Sequence, residues 1–352
     1  MSQPTFRFLD QSLDGSGSGS AESFRAGEAR WRWLARGILE IVPGTGLGPG
    51  PGAAPDADPD LPAAIISVGV HGDETVPVRL IDQWLAQLLT QVQTIRRPML
   101  IVLANPDAVC IGKRFVKHNM NRLFCLPAAS APDDKTGTYD DENSRAVDIM
   151  QAVQRFVAAY PAGMHFDLHS TIKPSDQDRF AVVPVDCQGR DLTALKNWLR
   201  LFAVDAWVQN ISPAAAFSSF TAGLGYLSAT VELGQVSSLD EPIERFLSLL
   251  PALDRLAFDE EEQSRHAMSG FQVIDEIIRP EGEFELCLQD FVNFRSLTAG
   301  TLIASANGGA SGGANGGADG HEWRIEQTGD ALLFLNAQVP AGHRAGLVIR
   351  QR

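Results

Sequence analysis

The sequence predicts an α/β fold in which helices flank a mainly parallel sheet and a smaller β-rich domain follows. Residues 63–70 form an apolar, β-branched run that is typical of a buried strand. Residues 75–93 place their apolar side chains on one helical face, and residues 99–104 form a second apolar run. This order of strand, helix and strand is a βαβ unit, whose two strands pair in parallel.

The alternation of helices and strands continues through the first 264 residues. Residues 29–41 are predicted to form a hairpin or a bent strand, with Arg36-Gly37 near its middle. Residues 1–28 and 43–62 are expected to be loop-like, because they are polar or rich in glycine and proline. Apolar periodicity predicts helices at 143–160, 192–202 and 241–262 and strands at 164–170, 179–185, 206–209 and 226–234.

The character of the sequence changes at about residue 265. Short β-like runs separated by prolines and glycines occur at 271–279, 284–287, 323–327, 331–335 and 345–349. Residues 306–320 consist mostly of glycine, alanine and asparagine and are expected to be a flexible insertion. We therefore predict an α/β domain over residues 1–264, which carries the candidate functional residues described below, and a β-rich C-terminal domain over residues 265–352.

The charge of the chain argues against binding to nucleic acid. The formal net charge is −14, and no basic cluster is large enough to neutralise a run of phosphates. A small anionic substrate is compatible with this charge if arginines line its pocket. The four cysteines form no C-x-x-C pair, no apolar run approaches the length of a membrane span, and residues 1–10 lack a secretory signal pattern. We therefore expect a soluble cytoplasmic protein, whose oligomeric state the sequence does not set.

Histidine and glutamate side chains follow separate predicted strands and are candidates for a metal site. His71 and Glu74 lie just after the first strand of the βαβ unit, with Gly72 between them to allow a tight turn. His169 lies at the end of a later strand. Because the carboxyl ends of parallel strands meet at one edge of a sheet, these donors are expected to converge. Two imidazoles and a carboxylate form a catalytic zinc set with a fourth position for water, so we predict one zinc ion per chain.

Two further acids at strand ends are predicted to support the chemistry. Asp167 lies two residues before His169, so their side chains share one face and the carboxylate can orient the imidazole. Glu232 lies between two apolar residues, and burial there would raise its pKa towards neutral pH. Glu232 is therefore the candidate general base, which takes a proton from water and returns it to the leaving nitrogen. The alternative for both acids is an ordinary structural role at a strand end.

An irregular segment that begins at residue 105 carries the candidate substrate-binding residues Arg114, Asn121 and Arg122. A guanidinium can grip a carboxylate through two parallel hydrogen bonds. Two arginines and an amide therefore indicate a site for an acidic substrate. The neighbouring lysines and His118 are expected to face solvent.

This combination of motifs resembles the succinylglutamate desuccinylase/aspartoacylase family of the zinc carboxypeptidase superfamily. The resemblance covers about residues 30–265. It is carried by Gly69-Val70-His71-Gly72-Asp73-Glu74, Asn105-Pro106, Arg114 with Asn121-Arg122, Asp167-Leu168-His169-Ser170 and Val231-Glu232-Leu233-Gly234. The resemblance implies a zinc-carboxypeptidase-like fold. It also implies zinc on His71, Glu74 and His169, Glu232 as the base, and substrate contacts from Arg114, Asn121 and Arg122.

Within this family, the segment Phe217–Gly223 and the chain length favour the members that hydrolyse N-succinyl-L-glutamate. That reaction gives succinate and L-glutamate and is the last step of arginine catabolism by the succinyl route. Aspartoacylase-type members place a tyrosine of the C-terminal domain near the substrate. This chain has only Tyr139, Tyr160 and Tyr226, none of them after residue 265. The resemblance therefore disfavours aspartoacylase chemistry and does not identify what the C-terminal domain contributes to the pocket.

Two alternatives stay open on the sequence alone. The first is a deacylase for another N-acyl acidic amino acid, or a related carboxypeptidase, because pocket shape sets the acyl group. The second is a non-catalytic metal-binding protein that holds a partner through its β-rich part. Glu232 argues against the second alternative, since a structural zinc site is closed by a fourth ligand. The same donors would also accept cobalt or manganese.

Overall fold

A mixed sheet of twelve strands organises the computed structural model, which describes residues 6–16, 23–44, 61–91, 93–125, 141–236, 238–260, 262–288, 290–307 and 321–352. The helices are α1 (Phe8–Asp14), α2 (Thr75–Leu88), α3 (Pro106–Cys110), α4 (Glu142–Ala159), α5 (Thr193–Leu201), α6 (Phe217–Gly223) and α7 (Leu250–Phe258). The first nine strands are β1 (Ser23–Ala26), β2 (Ala29–Ala35), β3 (Ile38–Val42), β4 (Ala63–Val68), β5 (Met99–Leu103), β6 (Gly163–Thr171), β7 (Phe180–Val183), β8 (Ala206–Gln209) and β9 (Leu227–Gln235). The remaining strands are β10 (Ser269–Ile278), β11 (Glu283–Leu286), β12 (Leu302–Asn307), β13 (His321–Arg324), β14 (Ala331–Leu333) and β15 (Arg344–Gln351).

The centre of the sheet is parallel, as the sequence predicts. The strand order is β1-β2-β3-β5-β4-β6-β9-β7-β8-β10-β15-β14. Strands β5, β4, β6 and β9 pair in parallel, and β3 and β7 join this centre in antiparallel orientation. The predicted βαβ unit is confirmed as β4, α2 and β5. Residues that end β4, β6 and β9 therefore lie at one edge of the sheet.

Helices cover both faces of the sheet, because successive side chains of its central strands point to opposite sides. Ile66 packs into a core formed with α2, α5 and α7, whereas its neighbour Ile65 packs into a second core formed with α4 and α6. Strand β4 is buried at all six positions. Its continuous apolar run is therefore explained by burial on both faces.

Several sequence predictions for the first 264 residues are confirmed, and two are wrong. The hairpin is present as β2 and β3, and helices begin within one residue of the predicted starts at 143 and 192. The single helix predicted at 241–262 is instead a 3₁₀ helix, Glu244–Leu249, followed by α7. Pro251 explains the break, because proline has no N–H to continue a preceding helix and prefers a first turn.

The second wrong prediction concerns the N-terminal segment. Residues 1–28 were expected to be loop-like, but α1 and β1 lie within them. Phe8 is fully buried and stacks on Trp33 with ring centroids 5.6 Å apart, so burial of apolar side chains stabilises this segment. Residues 17–22 lie outside the described residues. So do residues 45–60, which make up most of the loop predicted at 43–62.

The C-terminal part is rich in strands, and some of them extend the main sheet. Strands β10, β14 and β15 continue the twelve-stranded sheet through a parallel pairing of β10 with β8. Strands β11, β12 and β13 form a separate antiparallel sheet. Of the predicted insertion at 306–320, the first two residues belong to β12 and residues 308–320 lie outside the described residues. Within the described ranges, none of the helices could cross a membrane.

Candidate active site

Two glycines allow the loop after β4 to turn tightly, because at both positions a side chain would be strained or would clash. Gly69 has a positive φ of 64°. A Cβ atom on Gly72 would lie 2.1 Å from the backbone carbonyl carbon of Ala108. The turn brings His71 and Glu74 together immediately before α2 begins at Thr75.

His71, Glu74 and His169 meet at the carboxyl edge of the sheet, as the sequence predicts. His71 Nδ1 lies 2.8 Å from Glu74 Oε1, and His169 Nδ1 lies 2.9 Å from Glu74 Oε2. One potential ligand atom from each residue lies within 4.8 Å of the other two, and all three side chains are buried. Two imidazoles and a carboxylate in this arrangement fit a divalent cation such as zinc.

The electrostatics of the cluster also fit a cation. Burial opposes a charge on His169, yet the carboxylates of Asp167 and Glu74 raise its pKa well above the usual value. Burial alone would raise the pKa of Glu74, but the charges of His169 and His71 hold it well below the usual range. The surroundings of His169 and Glu74 thus favour positive charge between the carboxylates, which a bound metal ion would supply.

Asp167 lies behind His169 at a position suited to orient it. Its Oδ2 atom lies 3.1 Å from His169 Nε2, and its Oδ1 atom accepts a hydrogen bond from the Ser67 hydroxyl. Ser67 pairs with Asp167 in the register of β4 and β6. Ser67 also lies 2.8 Å from His165, whose other ring nitrogen lies 2.7 Å from the hydroxyl of Thr221.

No sequence pattern predicted this buried network of Ser67, His165 and Thr221. His165, Asp167 and His169 alternate along β6 and therefore share one face. That alternation is the signal that would have grouped His165 with the two functional candidates. His165 is fully buried.

Glu232 lies on β9 directly opposite His169 in the register of β6 and β9. Its side chain is buried, and its Oε2 atom has no hydrogen-bond partner among the described residues. Burial raises the pKa of Glu232 to about 8. The charge of His169 opposes this rise, and the charge of Glu74 adds to it by a smaller amount. A buried carboxyl with a raised pKa and a free oxygen can exchange a proton near neutral pH.

The three predicted substrate-binding residues line the same cavity as the histidines and Glu232. Arg114 Nη1 lies 3.2 Å from Glu74 Oε1. The side-chain oxygen of Asn121 accepts a hydrogen bond from the backbone N–H of Phe217, 3.3 Å away. Arg122 donates to the carbonyl of Asn121. The side chain of His118 is half exposed, as predicted.

Glu142 fixes the loop that carries Arg114, Asn121 and Arg122, and no sequence pattern predicted this role. Its buried carboxylate accepts hydrogen bonds from the backbone N–H groups of Val116, Lys117 and His118. The amide of Asn105 also donates to it, over 3.3 Å. The partners of Glu142 are mostly backbone groups of an irregular segment, so no spacing in the sequence points to it.

The C-terminal part completes the cavity wall, which the sequence did not reveal. Its contribution includes Phe334, Asn336 and Arg344. The cavity has a volume of about 250 Å³, which suits a small molecule and not a polymer. Its polar lining combines the carboxylates of Glu74 and Glu232 with several arginines, so it is equipped to bind an anionic molecule next to the candidate metal site.

Comparison with known proteins gives matches along most of the chain. Residues 60–252 match the family described as the succinylglutamate desuccinylase/aspartoacylase catalytic domain. Residues 266–352 match the AstE/AspA barrel-sandwich hybrid domain. A succinylglutamate desuccinylase of Serratia proteamaculans is 30% identical over 332 residues, which cover 91% of this chain and 90% of that relative.

Comparison with solved structures also gives matches along most of the chain. A succinylglutamate desuccinylase of Vibrio cholerae superposes with a TM-score of 0.79 at 26% identity, covering 99% of this chain and 96% of the other. The corresponding structure from Chromobacterium violaceum has a TM-score of 0.75 at 26% identity, and 98% of each chain is covered. The likeness therefore extends through both the parallel sheet and the C-terminal strands.

Proposed function

The chain belongs to the succinylglutamate desuccinylase/aspartoacylase family, and from this premise we propose that it hydrolyses N-succinyl-L-glutamate to succinate and L-glutamate. The observation that carries the proposal is the convergence of His71, Glu74 and His169 with Glu232 on one arginine-lined cavity. Such a reaction cleaves a linear amide and would complete arginine catabolism by the succinyl route. Its substrate is a small anion, which the lining of the cavity suits.

We propose zinc as the cofactor, one ion per chain, held by His71, Glu74 and His169. When bound, zinc acts as a Lewis acid and lowers the pKa of water to about 7. Asp167 would orient His169 through the contact between its Oδ2 atom and Nε2, which leaves Nδ1 directed towards Glu74. The hydrogen bond from Ser67 in turn holds Asp167 in place.

Glu232 is the proposed general base and then general acid. In its ionised form it takes a proton from water, and the oxygen attacks the carbonyl carbon of the amide. The C–N bond then breaks, and Glu232 delivers the same proton to the nitrogen that becomes the amino group of glutamate. Arg114 lies beside Glu74 and is placed to stabilise the negative charge that develops on the carbonyl oxygen.

Arg122 and Asn121 are proposed to hold substrate carboxylates. Both line the cavity next to the metal-binding cluster. Arg122 pairs with no carboxylate among the described residues, so its guanidinium is available for a bidentate contact.

All four cysteines are free thiols, which supports the expected cytoplasmic location. We also propose that a C-terminal domain begins at residue 265.

A small substrate panel tests this function. Purified protein loaded with zinc is expected to hydrolyse N-succinyl-L-glutamate with a kcat/KM well above that for N-acetyl-L-aspartate and N-acetyl-L-glutamate. Preference for N-acetyl-L-aspartate would move the chain to the aspartoacylase type of the family. Absence of hydrolysis of every N-acyl acidic amino acid in the zinc-loaded protein would contradict the proposal.

A further inference from the structure

A third arginine lines the cavity from the C-terminal part of the chain. Arg344 is the first residue of β15, where it lies opposite Ile278 of β10. Its Nη1 atom donates a hydrogen bond to Glu276 Oε1 over 2.9 Å. The side chain is about three-quarters buried, and the residue lines the same cavity as Arg114 and Arg122.

The three arginines lie close enough to influence one another. Partial burial lowers the pKa of Arg122, and the charges of Arg344 and Arg114 lower it further. Arg114 has Glu74 as a partner and Arg344 has Glu276, whereas Arg122 pairs with no carboxylate in the described ranges. Like charges around one cavity repel each other unless an anion lies between them, so the arrangement is suited to a ligand that carries several negative charges.

Hydrogen bonds fix the loop that leads to Arg344 at the cavity wall. Phe334 has a positive φ of 57°, which is unusual for a bulky residue. Its backbone N–H donates to the side chain of Asn293, which is almost completely buried. The backbone N–H of Asn336 donates to the carbonyl of Ala345. Local strain that the surrounding contacts maintain is typical of residues positioned for binding.

We propose that Arg344 binds one substrate carboxylate remote from the scissile amide and thereby selects a tricarboxylate. This inference rests on the proposed function, because N-succinyl-L-glutamate carries one carboxylate on its succinyl part and two on its glutamate part. Arg114 contacts Glu74, whereas Arg344 is anchored to Glu276 of β10. Arg344 is therefore suited to a carboxylate at the far end of one arm of the substrate, and the C-terminal part acts as a specificity element.

Arg344 would discriminate between substrates because a charged side chain in the cavity that lacks an oppositely charged partner on the substrate weakens binding. A hydrogen-bonded pair between an arginine and a carboxylate in a partly dry cavity changes affinity by about tenfold to a hundredfold. A substrate that lacks the matching carboxylate leaves Arg344 without its ligand partner. The wild-type protein is then less active on that substrate, and loss of Arg344 has little further effect.

Kinetics of the Arg344→Gln variant test the proposal. Three zinc-loaded proteins are compared: wild type, Arg344→Gln, and the control Arg324→Gln, which removes an exposed arginine of β13. The substrates are N-succinyl-L-glutamate, N-acetyl-L-glutamate and N-succinyl-L-glutamine. The two analogues lack, respectively, the succinyl carboxylate and the side-chain carboxylate of the glutamate part.

We expect Arg344→Gln to lower kcat/KM for N-succinyl-L-glutamate about tenfold to a hundredfold, mainly through KM. For one of the two analogues, the variant should match wild type, and that analogue identifies the carboxylate that Arg344 binds. An equal loss on all three substrates, or no loss on the first, would overturn the proposal while leaving the proposed function intact. Failure of wild type on all three substrates would instead reject the proposed function, and with it this inference.

Discussion

Replacement of Glu232 by glutamine separates its role in proton transfer from its role in the fold. Glutamine keeps the shape of the side chain but can neither take nor give the proton. We expect turnover to fall by about 100-fold or more, while metal content stays near that of wild type because Glu232 is not one of the proposed ligands. Full activity in the Glu232→Gln variant would refute the assigned role.

The same substitution is expected to stabilise the metal-free protein at alkaline pH. Burial raises the pKa of Glu232 from an ordinary 4.5 to about 8. Between these pH values, the folded protein keeps a proton that the unfolded chain has released. The contribution of Glu232 to stability is therefore fully present below pH 4.5 and is lost as pH rises through about 8. At about 1.4 kcal/mol for each pKa unit, the loss is at most about 5 kcal/mol.

Thermal unfolding between pH 4 and pH 9 measures this effect. The metal must be removed first, because a bound cation would lower the pKa of Glu232 and stabilise the folded state. The melting temperature of Glu232→Gln should equal that of wild type near pH 4 and exceed it by several degrees above pH 8. The control Glu283→Gln, at an exposed position of β11, should follow wild type throughout. If the melting temperatures of wild type and Glu232→Gln change with pH in parallel, the assignment of Glu232 as a buried, protonated carboxyl is refuted.

Two further substitutions test how the scaffold positions the site. Glu142→Gln should raise KM for the substrate severalfold and lower stability by about 1–2 kcal/mol, because the loop N–H groups lose a charged acceptor; an unchanged KM in steady-state kinetics would show that Glu142 does not position the loop. Gly72→Ala should destabilise the protein by about 3 kcal/mol or more and weaken metal binding, because its Cβ would clash with the backbone of Ala108. Gly223→Ala is the matched control, since no atom lies within 4 Å of its added Cβ. Denaturant unfolding that shows equal stability for the two alanine variants would contradict the steric argument.

The convergence of His71, Glu74 and His169 could be predicted from the sequence because strand direction determines it. Apolar runs before His71, His169 and Glu232 predicted parallel strands, and parallel strands end at one edge. The register then places Glu232 opposite His169.

The remaining parts of the cavity could not be predicted, since they depend on tertiary contacts that leave no pattern in the sequence. Glu142 acts through backbone N–H groups of an irregular loop. Arg344 reaches the cavity only because β10 and β15 extend the main sheet beyond β8. The break in the helix predicted at 241–262 is different, because Pro251 was visible in the sequence and marks the start of α7.

Metal removal and reconstitution test the central claim most directly. Wild type and His71→Ala are treated with a chelator, dialysed, and titrated with zinc while succinate and glutamate released from N-succinyl-L-glutamate are measured. We predict that wild type loses its activity and regains it fully at one zinc ion per chain, and that His71→Ala binds little metal and stays inactive. Hydrolysis that persists in metal-free wild type, or full reconstitution of His71→Ala by one equivalent of zinc, would contradict the account.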